Sequence, residues 1–226
     1  MDDCQTYQGS AGLDRQPGIE PGPPLEMDNF ILASASPRRK QLLEGLDLQF
    51  LVRPIDADES LDQGQQEHPA AYIARRKAKI AHMLYPDSWI LACDTVVEIP
   101  ETEPVYLGKA SSRDEARSML LSLSDREHVV RTGHSLVSPG GDIYEMMPTT
   151  RVRFRNLNPR LLEWYLDTNE WTDKAGSYGI QEKGALLIES LSGDYFNVVG
   201  LSILAVDGLF QKAGLQLLDF SKQDRP

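Results

Sequence analysis

The stretch Phe30-Ile-Leu-Ala-Ser-Ala-Ser-Pro-Arg-Arg-Lys-Gln-Leu-Leu-Glu-Gly-Leu46 predicts a buried strand, a turn of small residues and a helix. Phe30–Ala33 is apolar throughout, as expected of a short interior strand. Ser36 suits the N-cap position, and Pro37 suits the first helical position, where the missing N–H of proline costs nothing. Gly45 favours the end of the helix. The stretch therefore places a helix N-terminus directly after a buried strand.

The first turn of this helix carries positive charge, although a helix N-terminus already has a partial positive charge and favours carboxylates. Arg38, Arg39 and Lys40 all lie there. Free backbone N–H groups, the hydroxyls of Ser34 and Ser36, and two guanidiniums that bind oxygens bidentately suit a phosphate chain. The alternative is a solvated basic turn on an amphipathic helix. The strand–serine–proline context favours the phosphate site.

Composition limits the class of partner. The 226 residues are 41% hydrophobic and 25% charged, which is ordinary for a globular protein and enough for one domain of about 200 residues. A net charge of −11 and a pI of about 4.8 disfavour nucleic acid and anionic membrane as partners. Positive charge is concentrated near residues 38–40 and 75–79, which favours a small polyanion.

The ends of the chain differ from its middle. Residues 1–27 contain four Gly and four Pro without periodicity, so we expect a disordered tail there, a globular domain at 28–218 and a C-terminal tail at 219–226. Residues 1–27 also lack the apolar segment of a secretory signal. The longest apolar run, Val198–Val206, is far below the roughly 18 residues that span a membrane. Cys4 and Cys93 have no metal-type spacing, so a reduced, cytoplasmic protein is expected.

Residues 68–85 predict a helix with a lysine in its apolar stripe. Ile73, Ile80 and Leu84 share one face, and Lys77 lies on that same face. Such a lysine either snorkels to solvent or reaches an anion that offsets its desolvation. Together with the basic turn at residues 38–40, the pattern favours the inward orientation.

Trp89–Ile99 is the most strand-like segment, and it carries a carboxylate in its middle. Burying Asp94 unpaired in such an apolar run is costly. A bulge or a turn is the structural explanation. A carboxylate at the mouth of a cleft, binding a cation or acting as a general base, is the functional one, and we favour it. Glu59, in the acidic loop at residues 55–60, is either simply solvated or close to a metal.

Further along, Lys109 lies in a loop just ahead of the helix expected at residues 112–123, and Asp173–Gly184 is a Gly-rich loop long enough to be functional. A lone loop lysine is normally solvated, but this one is a second candidate phosphate ligand. The pattern after residue 126 predicts strands at residues 127–137, 143–147, 150–155 and 185–188, and helices at residues 158–166 and 201–212.

Several catalytic motifs are absent from the sequence. It has no GxxxxGK[ST], GxGxxG or GxSxG, and its four histidines have no metal-type spacing. Chemistry must therefore rest on carboxylates, lysines, arginines and a hard cation. That inventory suits phosphoryl transfer with Mg²⁺.

Taken together, these segments resemble the Maf family of nucleoside triphosphate pyrophosphatases. The matching pieces occur in family order, span roughly residues 30–205 and are Leu32-Ala-Ser-Ala-Ser-Pro-Arg-Arg39, Ala74-Arg-Arg-Lys-Ala78, Ala92-Cys-Asp-Thr95, Gly108-Lys109, Asp173-Lys-Ala-Gly-Ser-Tyr-Gly-Ile-Gln181 and Asn197-Val-Val-Gly-Leu201. The resemblance implies a mixed α/β fold with an elongated, twisted central sheet flanked by helices, and a nucleotide cleft between two lobes. It also implies hydrolysis of a nucleoside triphosphate to the monophosphate and pyrophosphate, with Mg²⁺ or Mn²⁺, in a homodimer.

The resemblance also implies a role for each site residue. Asp94 matches the proton acceptor and Glu59 matches a further acidic site residue, and we expect these two carboxylates to bind the metal. The phosphate-contacting positions are Ser34, Arg39, Lys77 and Lys109, and the positions tied to base choice are Arg38, Thr95 and Gln181. Arg, Thr and Gln at those three positions are typical of the subfamily that acts on dTTP and UTP. A glutamine amide offers a donor and an acceptor that match the O4 and N3–H edge of uracil or thymine. Ala110 departs from the proline that usually follows the lysine.

Two other functions remain open at this point. A pyrophosphatase acting on inosine or xanthosine triphosphate would share the chemistry, and a nucleotide panel separates the two. A non-catalytic regulator of cell division would bind nucleotide without releasing pyrophosphate. Neither nucleic acid nor membrane is expected as a partner.

Overall fold

The computed structural model describes residues 30–60 and 66–221. The tail expected at residues 1–27 lies outside the described residues. The strands are β1 (Phe30–Leu32), β2 (Leu51–Val52), β3 (Trp89–Ile99), β4 (Val105–Leu107), β5 (Glu127–Val137), β6 (Ile143–Met146), β7 (Thr149–Phe154) and β8 (Ile188–Ser192). The helices are α1 (Pro37–Glu44), α2 (Pro69–Leu84), α3 (Arg113–Leu123), α4 (Pro159–Asp167), α5 (Tyr195–Val199) and α6 (Ile203–Lys212), with 3₁₀ turns at Glu182–Leu187 and Leu217–Phe220.

One mixed sheet connects these elements. Its strands are paired in the order β2-β1-β3-β5-β7-β8, with β4 beside β3 and β6 beside β5. β1 runs parallel to β2 and β3, and the other pairs are antiparallel. The expected mixed α/β fold, with a central sheet flanked by helices, is confirmed. Among the helices of the described ranges, none is both long and apolar enough to cross a bilayer.

The central strand β3 has a gap along one edge. β5 pairs with one edge from residue 90 to residue 98. On the opposite edge β1 pairs with residues 89–91 and β4 with residues 97–99. The backbone between these two short partners has no neighbouring strand on that side within the described chain. Asp94 and Thr95 lie in this gap.

Alternation along β3 explains how the cores flank the gap. Leu91 and Cys93 pack with residues of α1 and α6, whereas Ile90 and Ala92 pack on the opposite face with α2. Further along the first face, Val97 packs with α3 and α4. Two separate cores therefore lie on one face, towards the two ends of β3. This arrangement is the structural basis of the two expected lobes.

The strand predicted at residues 185–188 is wrong. Residues 182–187 form a 3₁₀ turn, and β8 begins only at Ile188. Gly184 and Leu187 are the buried positions of this turn, and their spacing of three is the period of a 3₁₀ helix rather than of a strand. The turn is tight, since a Cβ on Gly184 would lie 1.9 Å from the carbonyl oxygen of Gly179.

The packed chain extends further than the tail predicted from residue 219. Phe220 is only 5% exposed, and its ring centroid lies 5.1 Å from that of Phe30 and 5.0 Å from that of Phe210. Ser221 forms a β-bridge with Leu48. Burial of this aromatic ring holds residues 219–221 in the domain, and residues 222–226 lie outside the described residues.

Candidate active site

A cavity of about 790 Å³ opens at the gap in β3. It is lined by the turn before α1, the inner face of α2, the end of β4, the Gly-rich loop after residue 172 and the chain at residues 198–200. The structure brings all nine residues of the expected site into its wall: Ser34, Arg38, Arg39, Glu59, Lys77, Asp94, Thr95, Lys109 and Gln181.

Lys77 binds two carboxylates at the centre of this cavity. Its Nζ lies 2.8 Å from Asp94 Oδ1 and 2.7 Å from Glu59 Oε1. The Lys77 side chain is 12% exposed and that of Asp94 is 14% exposed. The inward orientation expected of Lys77 is therefore confirmed, and the ion pair offsets the cost of burying Asp94. The predicted apolar stripe is only partly right, because Leu84 at the end of α2 is 62% exposed.

The two carboxylates differ in proton affinity. Burial raises the pKa of Asp94 above its ordinary value, although the charges of Lys77 and Arg39 act in the opposite direction. Burial also acts to raise the pKa of Glu59, but the hydrogen bond and charge of Lys77, with the charge of Lys109, bring that pKa below its ordinary value. Asp94 is thus the better proton acceptor of the pair, as a general base requires.

A glycine lets α2 lie close to Asp94. Gly133 of β5 is paired directly with Asp94 in the sheet. A Cβ on Gly133 would lie 2.2 Å from the carbonyl oxygen of Ala70, in the first turn of α2. The sequence carried a signal for this contact, because an isolated glycine in a strand pattern indicates a close backbone approach. The sequence interpretation did not use it.

Arg39 fills the gap in β3. Its Nε donates to Gly200 O at 2.7 Å, and its Nη1 donates to Cys93 O at 2.7 Å and to Ser34 Oγ at 3.2 Å. Its Nη2 donates to Thr95 Oγ1 at 3.1 Å. These four bonds use most of the five N–H groups of a guanidinium. Arg39 therefore supplies charge to the cavity and orders its wall, with little donor capacity left for a ligand.

Arg38 lies in a different electrostatic setting. Burial and the neighbouring charge of Arg39 lower its pKa, while Asp173 and Glu182 act to raise it. No hydrogen bond joins the side chain of Arg38 to another residue in the described ranges, so its guanidinium donors can serve a ligand. Gln181 directly precedes Glu182, at the N-cap position of the 3₁₀ turn. Its side-chain amide makes no capping hydrogen bond to this turn.

The Gly-rich loop is attached to the end of β4. Lys109 forms a backbone bridge with Ala175, and the N–H of Gly176 donates to Gly108 O at 2.9 Å. The Lys109 Nζ lies 3.8 Å from Glu59 Oε2, with the lysine side chain more than half exposed. Lys109 thus lies at the rim of the cavity despite the alanine that follows it.

The charges in the cavity wall balance. The lining contains five cationic side chains (Arg38, Arg39, Lys77, Lys109 and Lys174) and five carboxylates (Glu59, Asp94, Glu170, Asp173 and Glu182). The wall is therefore neutral in sum, whereas the whole chain carries −11. Within this neutral wall, Lys77, Lys109 and the N-terminus of α1 face the same space as Asp94.

The fold and this site define a class: an α/β protein whose sheet is opened at one strand edge to form a polar cleft, lined by equal numbers of cationic and carboxylate side chains, of the size that holds a small ligand. Residues 29–213 match the family model described as Maf-like protein. The match covers most of the chain, so the protein belongs to the Maf-like family.

The chain is similar to several named proteins. The dTTP/UTP pyrophosphatase of Pyrococcus abyssi is 43% identical over 78% of this chain and 92% of its own length. The proteins of the same name from Pyrococcus furiosus and Myxococcus xanthus are 42% and 40% identical, over 82% and 83% of this chain and 95% and 94% of their own lengths. A solved nucleoside triphosphatase / dITP/XTP pyrophosphatase from Mycobacterium abscessus aligns over 56% of this chain and 72% of its own, with 14% identity and a TM-score of 0.37.

Proposed function

We propose that this protein hydrolyses dTTP and UTP to the nucleoside monophosphate and pyrophosphate. The observation that carries the proposal is a buried carboxylate of raised pKa, Asp94, bound to Lys77 in a cavity lined by cationic and carboxylate side chains. The pyrimidine nucleotides follow from the relatives named above, whose names specify dTTP and UTP.

Asp94 acts as the general base in this proposal. It orients a water molecule and accepts its proton as the water attacks the α-phosphorus. Lys77, Lys109 and the backbone N–H groups at the start of α1 bind the phosphate oxygens and compensate the charge on the leaving pyrophosphate. Arg39 adds charge and holds Ser34 in place, while Arg38 and Gln181 contact the base.

A divalent cation fits the residues present. Asp94 and Glu59 place carboxylate oxygens on the same ammonium group, so both can reach one small region of the cavity. Mg²⁺ is usually held by one or two carboxylates together with substrate phosphates. The neutral wall leaves the charge of a triphosphate uncompensated, which also favours a cation that enters with the substrate. Bound Mg²⁺ or Mn²⁺ would polarise the phosphate oxygens.

A nucleotide panel tests the proposal. We expect dTTP and UTP to yield pyrophosphate and monophosphate in equal amounts, with loss of turnover in a chelator and recovery on adding Mg²⁺ or Mn²⁺. Faster turnover of inosine or xanthosine triphosphate would instead indicate a purine enzyme. Binding of nucleotide without any pyrophosphate release would indicate the regulator of cell division.

We also propose a cytoplasmic homodimer, from the family resemblance and the cysteine pattern. Sedimentation of the purified full chain tests the dimer directly. A monomer at all concentrations would contradict it.

A further inference from the structure

The hydroxyl of Thr95 belongs to a chain of hydrogen bonds that runs from the cavity into the core. Thr95 Oγ1 accepts from Arg39 Nη2 at 3.1 Å and lies 3.0 Å from Thr132 Oγ1. Thr132 Oγ1 in turn lies 2.8 Å from the backbone oxygen of Asn197. Thr132 and Asn197 are fully buried, whereas Thr95 is partly exposed in the cavity wall.

The direction of every bond in this chain is fixed. A backbone oxygen only accepts, so the single hydroxyl hydrogen of Thr132 is used on Asn197 O. Thr132 can then only accept from Thr95, which uses the single hydroxyl hydrogen of Thr95. Arg39 has no acceptor and must donate to Thr95. Thr95, in the cavity wall, is left with one lone pair and no free hydrogen, so it can meet a ligand only as a hydrogen-bond acceptor.

The Asn197 side chain is held in place by hydrogen bonds at both ends of its amide. Its Oδ1 accepts from the N–H of Thr132 at 3.2 Å, and its Nδ2 donates to Val130 O and to Thr150 Oγ1, both at 3.0 Å. Both ends of the amide are thus occupied by neighbouring strands. The backbone oxygen that receives the Thr132 hydrogen is held by the same side chain.

We propose that Thr132, held by Asn197, is a positioning residue that fixes Thr95 as an acceptor-only contact for the nucleotide. This inference rests on the proposed function and specifies how the site selects its substrate. The group that meets Thr95 must be a hydrogen-bond donor. Ionised phosphate oxygens and the base carbonyls O2 and O4 have no hydrogen to give, so the donor is either the imide N3–H of uracil and thymine or a sugar hydroxyl.

Two analogues distinguish these donors. N3-methyl-UTP lacks the imide hydrogen, and 3′-deoxythymidine triphosphate lacks the sugar hydroxyl of dTTP. We expect wild-type kcat/KM to fall roughly tenfold, relative to UTP or dTTP, for the analogue that lacks the donor, as for the loss of one hydrogen bond. An unchanged kcat/KM for both analogues would overturn the acceptor-only contact.

The Thr132→Val variant tests the positioning role. Valine cannot accept from Thr95, whose hydroxyl hydrogen is then free to turn into the cavity. In the wild-type protein, the penalty is the fall in kcat/KM for the analogue that lacks the donor. In Thr132→Val we expect this penalty to shrink to less than about threefold, which corresponds to the smallest free energy expected for one hydrogen bond. Thr132→Ser keeps the hydroxyl and should restore the penalty. Ser135→Ala removes a similarly buried hydroxyl of the same strand that has no hydrogen-bond partner among the described residues, so it should keep the wild-type penalty.

The outcomes separate two levels of failure. A full wild-type penalty in folded Thr132→Val, or an equal loss of the penalty in Ser135→Ala, would overturn the role of Thr132. If Thr132→Val does not fold, Thr95→Val provides the test at a partly exposed position, because it removes the acceptor itself and should abolish the penalty. Failure of the wild-type protein to release pyrophosphate from UTP or dTTP would contradict the proposed function instead.

Discussion

At the scale of single residues, Lys77 influences the pKa of both carboxylates in the cavity, Asp94 and Glu59. One ammonium group is bound by two carboxylates, and only one of them, Asp94, has a pKa above its ordinary value. Removing the ammonium leaves both carboxylates without their shared partner. The lysine thus acts on the proton affinity of Asp94 as well as on any phosphate.

Replacing this lysine should have two effects. We expect Lys77→Met to lower kcat/KM for UTP at least about tenfold, because hydrogen bonds to charged groups contribute about 1.5–3 kcal/mol. We also expect the acidic limb of the pH profile to move to higher pH, since the charge of Lys77 lowers the pKa of Asp94. Steady-state kinetics across pH measures both quantities. Lys79→Met, at an exposed position on the same helix, is the matched control.

The pH dependence of kcat/KM in the wild-type protein gives a second prediction about Asp94. In the proposed mechanism the rate requires ionised Asp94, and burial raises the pKa of that carboxyl. The acidic limb of kcat/KM should therefore lie above the ordinary value of 3.8 for aspartate. A limb at or below 3.8 would argue against Asp94 as the base.

At the scale of elements, the close contact between α2 and β5 brings the helix that carries Lys77 next to the residue paired with Asp94. The Gly133→Ala variant places a methyl group against the backbone of Ala70, where the available distance is 2.2 Å. We expect a loss of at least about 1–3 kcal/mol in the free energy of unfolding, as for overpacked cores. Urea unfolding measures it. Gly140→Ala is the control, because its nearest neighbour would be 3.6 Å away.

The elements themselves were largely predictable. Long periodic segments such as α2 and the apolar run of β3 have a strong local signal, and both lie where the sequence placed them. The 3₁₀ turn before β8 was missed because four apolar or small residues suit a short strand equally well. Its tight backbone contact with Gly179 is a tertiary feature.

The residues of the site could be predicted from the sequence, but the hydrogen bonds between them could not. Motifs and family resemblance identified residues that do line one cavity. They did not show that Arg39 uses its donors on Ser34, Thr95 and two backbone oxygens. Hydrogen-bond direction depends on which groups the fold brings together, and residues such as Thr132 have no local pattern that reveals it.

At the scale of the whole molecule, two buried histidines link stability to pH. Burial lowers the pKa of His128 and of His134 to about 4, from 6.5. The folded state therefore binds fewer protons than the unfolded state between pH 6.5 and pH 4, so stability is retained above this window and is lost as pH falls through it.

We expect the free energy of unfolding to fall by about 2 kcal/mol per histidine between pH 7.5 and pH 5. Denaturant unfolding at the two pH values measures the change. His128→Phe should reduce it by about half, because one of the two titrating groups is removed. Equal stability at both pH values would refute this linkage.

In the proposed mechanism Asp94 performs the chemistry, in a site to which the sheet, α1 and α2 all contribute. The most direct measurement is pyrophosphate release from UTP and dTTP by Asp94→Asn, which keeps the shape of the side chain and removes its charge. Asp87→Asn, at an exposed position in the turn before β3, is the matched control. We expect turnover to fall by about 10²–10⁴-fold in the first variant and to be unchanged in the second. Wild-type turnover by folded Asp94→Asn would contradict the claim.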